Sequence, residues 1–266
     1  MVQFDLRKSV NDNASTYFEK SKKLKNKLEG INTTLEKYQK ELKIVKKQEE
    51  ENLQIFEKEQ NLKHRKKEWF EKFRWSITSS GKVCIGGRDS SSNESIIKKY
   101  VEKNDLIFHT DMAGSPFFIL KLNEDDKIEE KDIFDVSSLT AIYSKAWKKG
   151  LSESDVFYVN KEQVTKEARA GESLASGSFV IKGKTNYTKH EMRLAIAVEE
   201  NGRVNYGSVQ AISNRFKKYA IIIQGDDKAS DIAKKLKRFF KNGLLDEFVK
   251  AVPSGGSKIK EVVGNA

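Results

Sequence analysis

Two hydrophobic rhythms divide the chain. From about residue 14 to 72 the apolar positions Leu24, Leu28, Ile31, Leu35, Tyr38, Leu42 and Val45 recur at alternating spacings of four and three. That heptad keeps one narrow stripe on one side of an α-helix. Lys37, Lys40, Glu41 and Lys43 fill the remaining positions, and the segment holds no proline and only one glycine, Gly30. A helix with so thin a stripe has no core of its own, so the pattern predicts a coiled-coil arm that needs a partner strand. The register breaks at Gln48, Glu49, Glu50, Glu51 and Asn52 and resumes at Leu53, Phe56 and Leu62. A phase-shifted continuous helix and a hairpin turning near 48–52 both fit. The lack of Gly or Pro there favours a continuous or bent helix.

From residue 73 the period becomes strand-like. Arg74–Thr78 and Lys82–Ile85 flank Ser79-Ser80-Gly81 and read as a hairpin. A helix from about Ser91 to Val101 follows, with Ser91 as expected cap and Glu94 three residues on. Short strands are expected at 106–109, 117–121, 155–159, 178–182, 191–198 and 219–224. Helical spacing covers 134–147, 228–241 and 244–252. This irregular order predicts an α+β fold, a mixed or antiparallel sheet with packed helices. The expected organisation is an arm over 1–72, an α+β domain over 73–243, and a short helix and tail over 244–266.

Charge adds a partner class. Lys+Arg outnumber Asp+Glu by 50 to 39, for a formal charge of +11. Such an excess suits an anionic partner, because clustered cations neutralise phosphates and release counterions. Cys84 is the single cysteine, so neither an internal disulfide nor a cysteine-based zinc site is expected. The N-terminus MVQFDLRKSVND lacks the apolar run of a signal peptide, and no stretch approaches a membrane span. The expected setting is the cytoplasm, without membrane contact.

Several stretches could carry chemistry. Gly86-Gly87-Arg88-Asp89 leads into a helix through Asn93, and glycines before a helix N-terminus let backbone N–H groups approach an anion. Arg88 would add a bidentate contact to phosphate, while Asp89 and Asn93 would fix the turn or read a ribose. His109 and Asp111 lie two apart, so in an extended segment they share a face and could hydrogen-bond. No nucleophile or metal set accompanies them, so binding is favoured over acid–base catalysis, and no cofactor is expected. Lys182 and Lys184, near Tyr187, form a further phosphate surface. The lysines of Tyr143–Gly150 suit any helix C-terminus. In Lys63–Lys67, followed by Trp69, Phe70 and Phe73, docking is favoured for the aromatics and the role of the cations is open. Met112 and Met192 read as core filler, His64 and His190 as surface residues.

Taken in order, these motifs resemble the NFACT-R domain of the NFACT ribosome-associated quality-control proteins, particularly the archaeal form. The resemblance runs through Lys67–Trp75, Ile85–Asp89 with Asn93-Glu94, Asp105–Asp111 with Gly114-Ser115-Pro116, and Tyr143-Ser144 with Ala146-Trp147. It continues through Gln163–Lys166, Gly171-Glu172, Gly177–Phe179 and Gly183-Lys184, and takes in Ser9–Lys20 and Val252–Gly256. It implies an RNA-binding domain without established catalysis, acting on large ribosomal subunits that carry a stalled peptidyl-tRNA. The expected partners are therefore rRNA or tRNA. The family's tRNA-recruiting NFACT-N half does not match, so the resemblance implies the carboxy-terminal half of such a protein, either from a split gene with a separate NFACT-N partner through the coiled coil or from a truncated relative. The alternative is a coiled-coil protein adaptor with no direct RNA role.

Overall fold

The computed structural model describes residues 3–167 and 177–264; the matched Gly171-Glu172 lies outside them. The chain divides into two compact units, residues 1–60 and 61–266. The first is built on α1 (Val10–Lys63), an unbroken helix of 54 residues. Ser9 closes its start, accepting from Asp12 N–H at 3.1 Å while its hydroxyl donates to the Asp12 carboxylate at 2.6 Å. Gln48–Asn52 stays helical, as the missing Gly and Pro foretold. The seven heptad side chains are each 51–64% exposed, so the stripe has no partner among the described residues. No described helix is long and apolar enough to cross a membrane.

The second unit is α+β. A 3-10 turn (Trp69–Lys72) leads into the hairpin β1 (Arg74–Ile77) and β2 (Val83–Gly86). Then come α2 (Ser90–Lys99), β3 (Leu106–Thr110), β4 (Phe118–Leu120), α3 (Glu130–Ile142), α4 (Lys145–Lys148) and β5 (Val156–Asn160). Two short strands, β6 (Val164–Thr165) and β7 (Val180–Ile181), pair with each other, and β8 (Asn186–Thr188) follows. The larger sheet is antiparallel throughout, in the order β1-β2-β4-β3-β5-β8.

A second antiparallel sheet takes β9 (Leu194–Val198), β10 (Val204–Gly207), β11 (Tyr219–Asp227) and β12 (Ser257–Val263) in the order β10-β9-β11-β12. Between them run α5 (Val209–Ser213), α6 (Ala229–Phe240) and α7 (Leu245–Ala251). One apolar core joins both sheets, from Ile85, Phe108 and Phe118 to Leu194, Ile222, Leu236 and Phe248.

Helix α3 is held by polar ties as well as by Val136, Leu139 and Ile142. The buried Asp132 accepts from Lys82 Nζ at 2.8 Å and from the Ser80 hydroxyl. Asp135 accepts from Ser79 N–H at 2.7 Å and from the Ser208 hydroxyl that caps α5. Burial pushes the Asp135 carboxyl above its ordinary range. For Asp132 burial acts upward too, yet Lys82 and the hydroxyls outweigh it and leave the group below its usual value.

Three expectations need correction. The cap of α2 is Asp89, not Ser91: Asp89 accepts from Ser92 N–H at 2.7 Å, and the Ser92 hydroxyl returns to Asp89. Glu94 instead pairs with Lys98 at 2.7 Å and Lys166 at 2.5 Å. The helix read over 134–147 is two, because Ser144 caps a new start by accepting from Ala146 N–H. After the helix expected at 244–252, the sequence Ser257–Val263 is no loose tail but strand β12 against β11.

Candidate functional site

A cleft of about 590 Å³ opens where α2, the β3–β4 loop, α4 and the segments around Phe179 and Ser254 converge. Five of the residues singled out in the sequence line it: Gly87, Arg88, Asp89, Asn93 and His109. Asp111, Lys182 and Lys184 do not.

Each side chain has a local reason for its place. Gly87 passes so close to α2 that a Cβ would fall 1.8 Å from Asn93 Oδ1. Asn93 uses that room to tie α2 to the neighbouring loop, its Oδ1 accepting from Phe117 N–H at 3.2 Å and its Nδ2 donating to Ser115 O at 3.5 Å. It therefore fixes the turn, its buried amide already engaged at both ends. Asp89 is likewise spent as a helix cap, and the Ser92 N–H and hydroxyl hold its carboxyl below the usual range. Arg88 donates through Nη2 to Phe73 O at 2.8 Å and Glu71 O at 3.4 Å. Its Nε is buried with no partner, so the guanidinium is anchored but not saturated.

The expected His109–Asp111 hydrogen bond does not form. Strand β3 ends at Thr110, so the alternation that would align the two side chains stops between them. His109 Nε2 donates to Ser115 O at 3.1 Å, and the ring stacks on Phe117 at 4.1 Å. Burial pushes its pKa below the ordinary value, which leaves it neutral at pH 7. Asp111 accepts from the Tyr187 hydroxyl at 2.9 Å. Lys182 pairs with Glu167 at 2.7 Å, beside a separate shallow pocket with Val101 and Ile107. Lys184 is exposed, and its carbonyl accepts from Gln163 Nε2 at 2.8 Å. Of the two histidines read as surface residues, His190 is half-buried with Nδ1 unpaired.

Three further cations complete the cleft: Arg74, and the Lys145 and Lys148 that the sequence offered only as helix C-terminal charges. Arg74 Cζ sits over the Tyr143 ring, 4.1 Å from its centroid. Lys145 and Lys148 stand three apart on the one turn of α4, a same-face spacing that was available in the sequence. Among the described residues none of Arg74, Arg88, Lys145 and Lys148 forms an ion pair. Asp89 is the one carboxylate among the lining residues. Four cations against one committed carboxylate make the cleft electropositive, and no complete acid–base or nucleophilic set accompanies them.

The far wall is fixed by the chain's last elements. Tyr143 Oη donates to Ala251 O at 2.5 Å, and Trp147 Nε1 donates to Gly256 O at 3.2 Å. Gly255, at φ +124°, sits where a Cβ would come within 2.9 Å of Lys148 Cα. Together these contacts seat Ser254 at the cleft.

Comparison with known proteins agrees with this picture. The model of the NFACT protein RNA binding domain matches residues 72–183, the segment that holds every cleft residue except Ser254. The archaeal Rqc2 homolog aRqcH of Methanocaldococcus jannaschii is 35% identical over 201 residues, covering 73% of this chain and 30% of its own. The ribosome quality control complex subunit NEMF homolog of Drosophila melanogaster is 34% identical over 188 residues, covering 70% of this chain and 18% of its own. The chain thus spans less than a third of the length of either relative. The C-terminal part of the fibronectin/fibrinogen-binding protein from Streptococcus suis covers 48% of the chain, and is itself covered to 47%, at 18% identity and TM-score 0.37, too loose a superposition to carry an argument. On the matched RNA binding domain and on these ribosome quality control relatives, the chain belongs to the NFACT family.

Proposed function

We propose that this chain binds RNA of the large ribosomal subunit, or tRNA on it, through the cationic cleft. It acts in the cytoplasm as a ribosome quality control component that performs no catalysis of its own. The carrying observation is the group of four cations, without ion pairs among the described residues, gathered inside the segment matched to an RNA binding domain. Cations fixed beside a concave wall are what phosphate recognition needs, and they set both affinity and salt dependence. Gly87, Asp89 and Asn93 shape the wall, Arg88 contributes charge, and His109 packs beneath it. Asp111, Lys182 and Lys184 lie outside the cleft and have at most an accessory part.

The test is co-sedimentation with purified large subunits across a salt series. Lys145→Glu/Lys148→Glu should lower affinity steeply, and Lys145→Ala/Lys148→Ala should reduce the slope of log K against log salt by about 1.4, roughly 0.7 for each phosphate contact on single-stranded RNA. Unchanged binding by both variants would sink the assignment. A second reading is favoured by the bare heptad stripe of α1: the helix docks on a protein, a separate NFACT-N half being the partner. Such an interface should depend on Leu28, Leu35 and Leu42 and persist in salt.

A further inference from the structure

The cleft joins two kinds of wall. On one side stand Arg74, Lys145 and Lys148; on the other Phe179 meets Phe117 edge-to-face at 5.6 Å, with His109 stacked behind. Phe179 is only half-buried, whereas Phe117 is buried, so Phe179 is the more accessible ring, with Lys166 Nζ over it at 5.4 Å from its centroid. Exposed hydroxyls of Ser90, Ser178 and Ser254 lie between these walls and the solvent.

We infer that the cleft takes a single unpaired nucleotide, its phosphate on the cations and its base on Phe179, without distinguishing which base it is. This rests on the RNA-binding reading above and narrows its substrate to unpaired RNA. Cations beside an accessible aromatic face match the two ends of a nucleotide, because every base has a π-face that stacks and every nucleotide a phosphate. A duplex keeps its bases stacked inside and meets a protein with a convex backbone, so it cannot fill a concave site of about 590 Å³. Blindness to the base follows from the polar groups present. The one amide and the one carboxylate of the lining are committed elsewhere, Asn93 to Phe117 N–H and Ser115 O, and Asp89 to Ser92, and the exposed serine hydroxyls suit any base because each both donates and accepts.

The experiment uses the full chain and two fluorescent RNA hairpins of one sequence, each closed by a non-nucleotide linker, one blunt and one with a short unpaired tail, measured by anisotropy at fixed salt. The tailed hairpin should bind about tenfold or more tighter, within the range that base–aromatic stacking gives. Phe179→Ala should remove most of that gain. Phe179→Leu keeps the apolar bulk and should remove it as well, which separates loss of stacking from loss of folding. Tails of oligo-A, -C, -G and -U should agree within about threefold, and 5′-AMP should compete where adenosine and inorganic phosphate each compete at least about tenfold less well. Equal binding of blunt and tailed hairpins overturns the inference and leaves RNA binding standing. Failure of both hairpins to bind overturns the RNA reading as well. A preference above tenfold for one base overturns the claim of blindness alone.

Discussion

Gly87 and Asn93 form a pair whose energetics can be worked from geometry. In Gly87→Ala the new Cβ would lie 1.8 Å from Asn93 Oδ1 and 2.8 Å from its Cγ, so the Asn93 side chain must leave its place. Phe117 N–H then loses its acceptor in a buried position, which costs about 1–3 kcal/mol. The displaced amide has no ready partner and adds roughly 1 kcal/mol. Restriction of the unfolded chain by alanine returns about 0.4–1 kcal/mol, so Gly87→Ala should destabilise by roughly 2–3 kcal/mol in all. Asn93→Ala leaves the same N–H bare and should cost about 1–3 kcal/mol. Once Asn93 is alanine, the nearest atom that a Cβ on residue 87 still meets is the residue 93 backbone nitrogen at 3.1 Å, a tight but tolerable approach. The double variant should therefore be no less stable than Asn93→Ala alone, giving a coupling of about −2 kcal/mol. Urea unfolding followed through the buried Trp75 and Trp147 measures all four corners of the cycle. If the single effects add to within about 0.5 kcal/mol, the contact between Gly87 and Asn93 does not govern this turn.

The other predictions concern charge, protonation and the first helix. Lys82→Met should destabilise by about 3–5 kcal/mol, because it leaves the fully buried Asp132 carboxylate without its cation; thermal unfolding of the variant checks this. Burial lowers the pKa of His109 and His190 below 6.5 in the folded chain, so their neutral forms add stability that is complete above pH 6.5 and lost as pH falls toward their lowered values. Asp135, raised by burial, acts with the opposite sign. His109→Gln/His190→Gln should then flatten the loss of stability between about pH 6.5 and 5, and an unchanged pH profile by urea unfolding would refute it. Leu28→Glu/Leu35→Glu/Leu42→Glu should abolish co-purification of a protein partner that survives high salt in the parent chain. A complex that tolerates the triple variant does not use this stripe.

Much of the fold was legible because it was periodic. The heptad marked α1, and alternating apolar residues marked β1 to β5, β9 and β11. Strand β12 escaped notice because it alternates Lys258, Ile259 and Lys260 after a Pro–Gly-rich stretch, the composition of a protected edge as much as of a tail. β10 and α5 escaped because each is only four or five residues long. At the site, Gly87 to Asn93 could be read because glycines before a helix carry a local meaning. Arg74, Lys145 and Lys148 could not, since their role arises from β1 and α4 meeting in space, and lysines on a short helix look alike whether or not a wall faces them. The pairing of His109 with Asp111 failed for a local reason that sequence spacing hides: the strand stops one residue too soon.

The contact of Gly255 and Gly256 with α4 has a consequence for how the protein comes into being. The segment matched to the RNA binding domain ends at residue 183, yet its sheet still lacks β8, its core lacks Leu194, Tyr206 and Phe248, and its cleft lacks Ser254. A homologous module and a folding unit are here different lengths of chain. A nascent polypeptide that has emerged only to residue 183 carries every cleft cation but not the wall that holds them in place. On the proposed reading, the cleft is complete only once the segment around Ser254 has been synthesised and has folded.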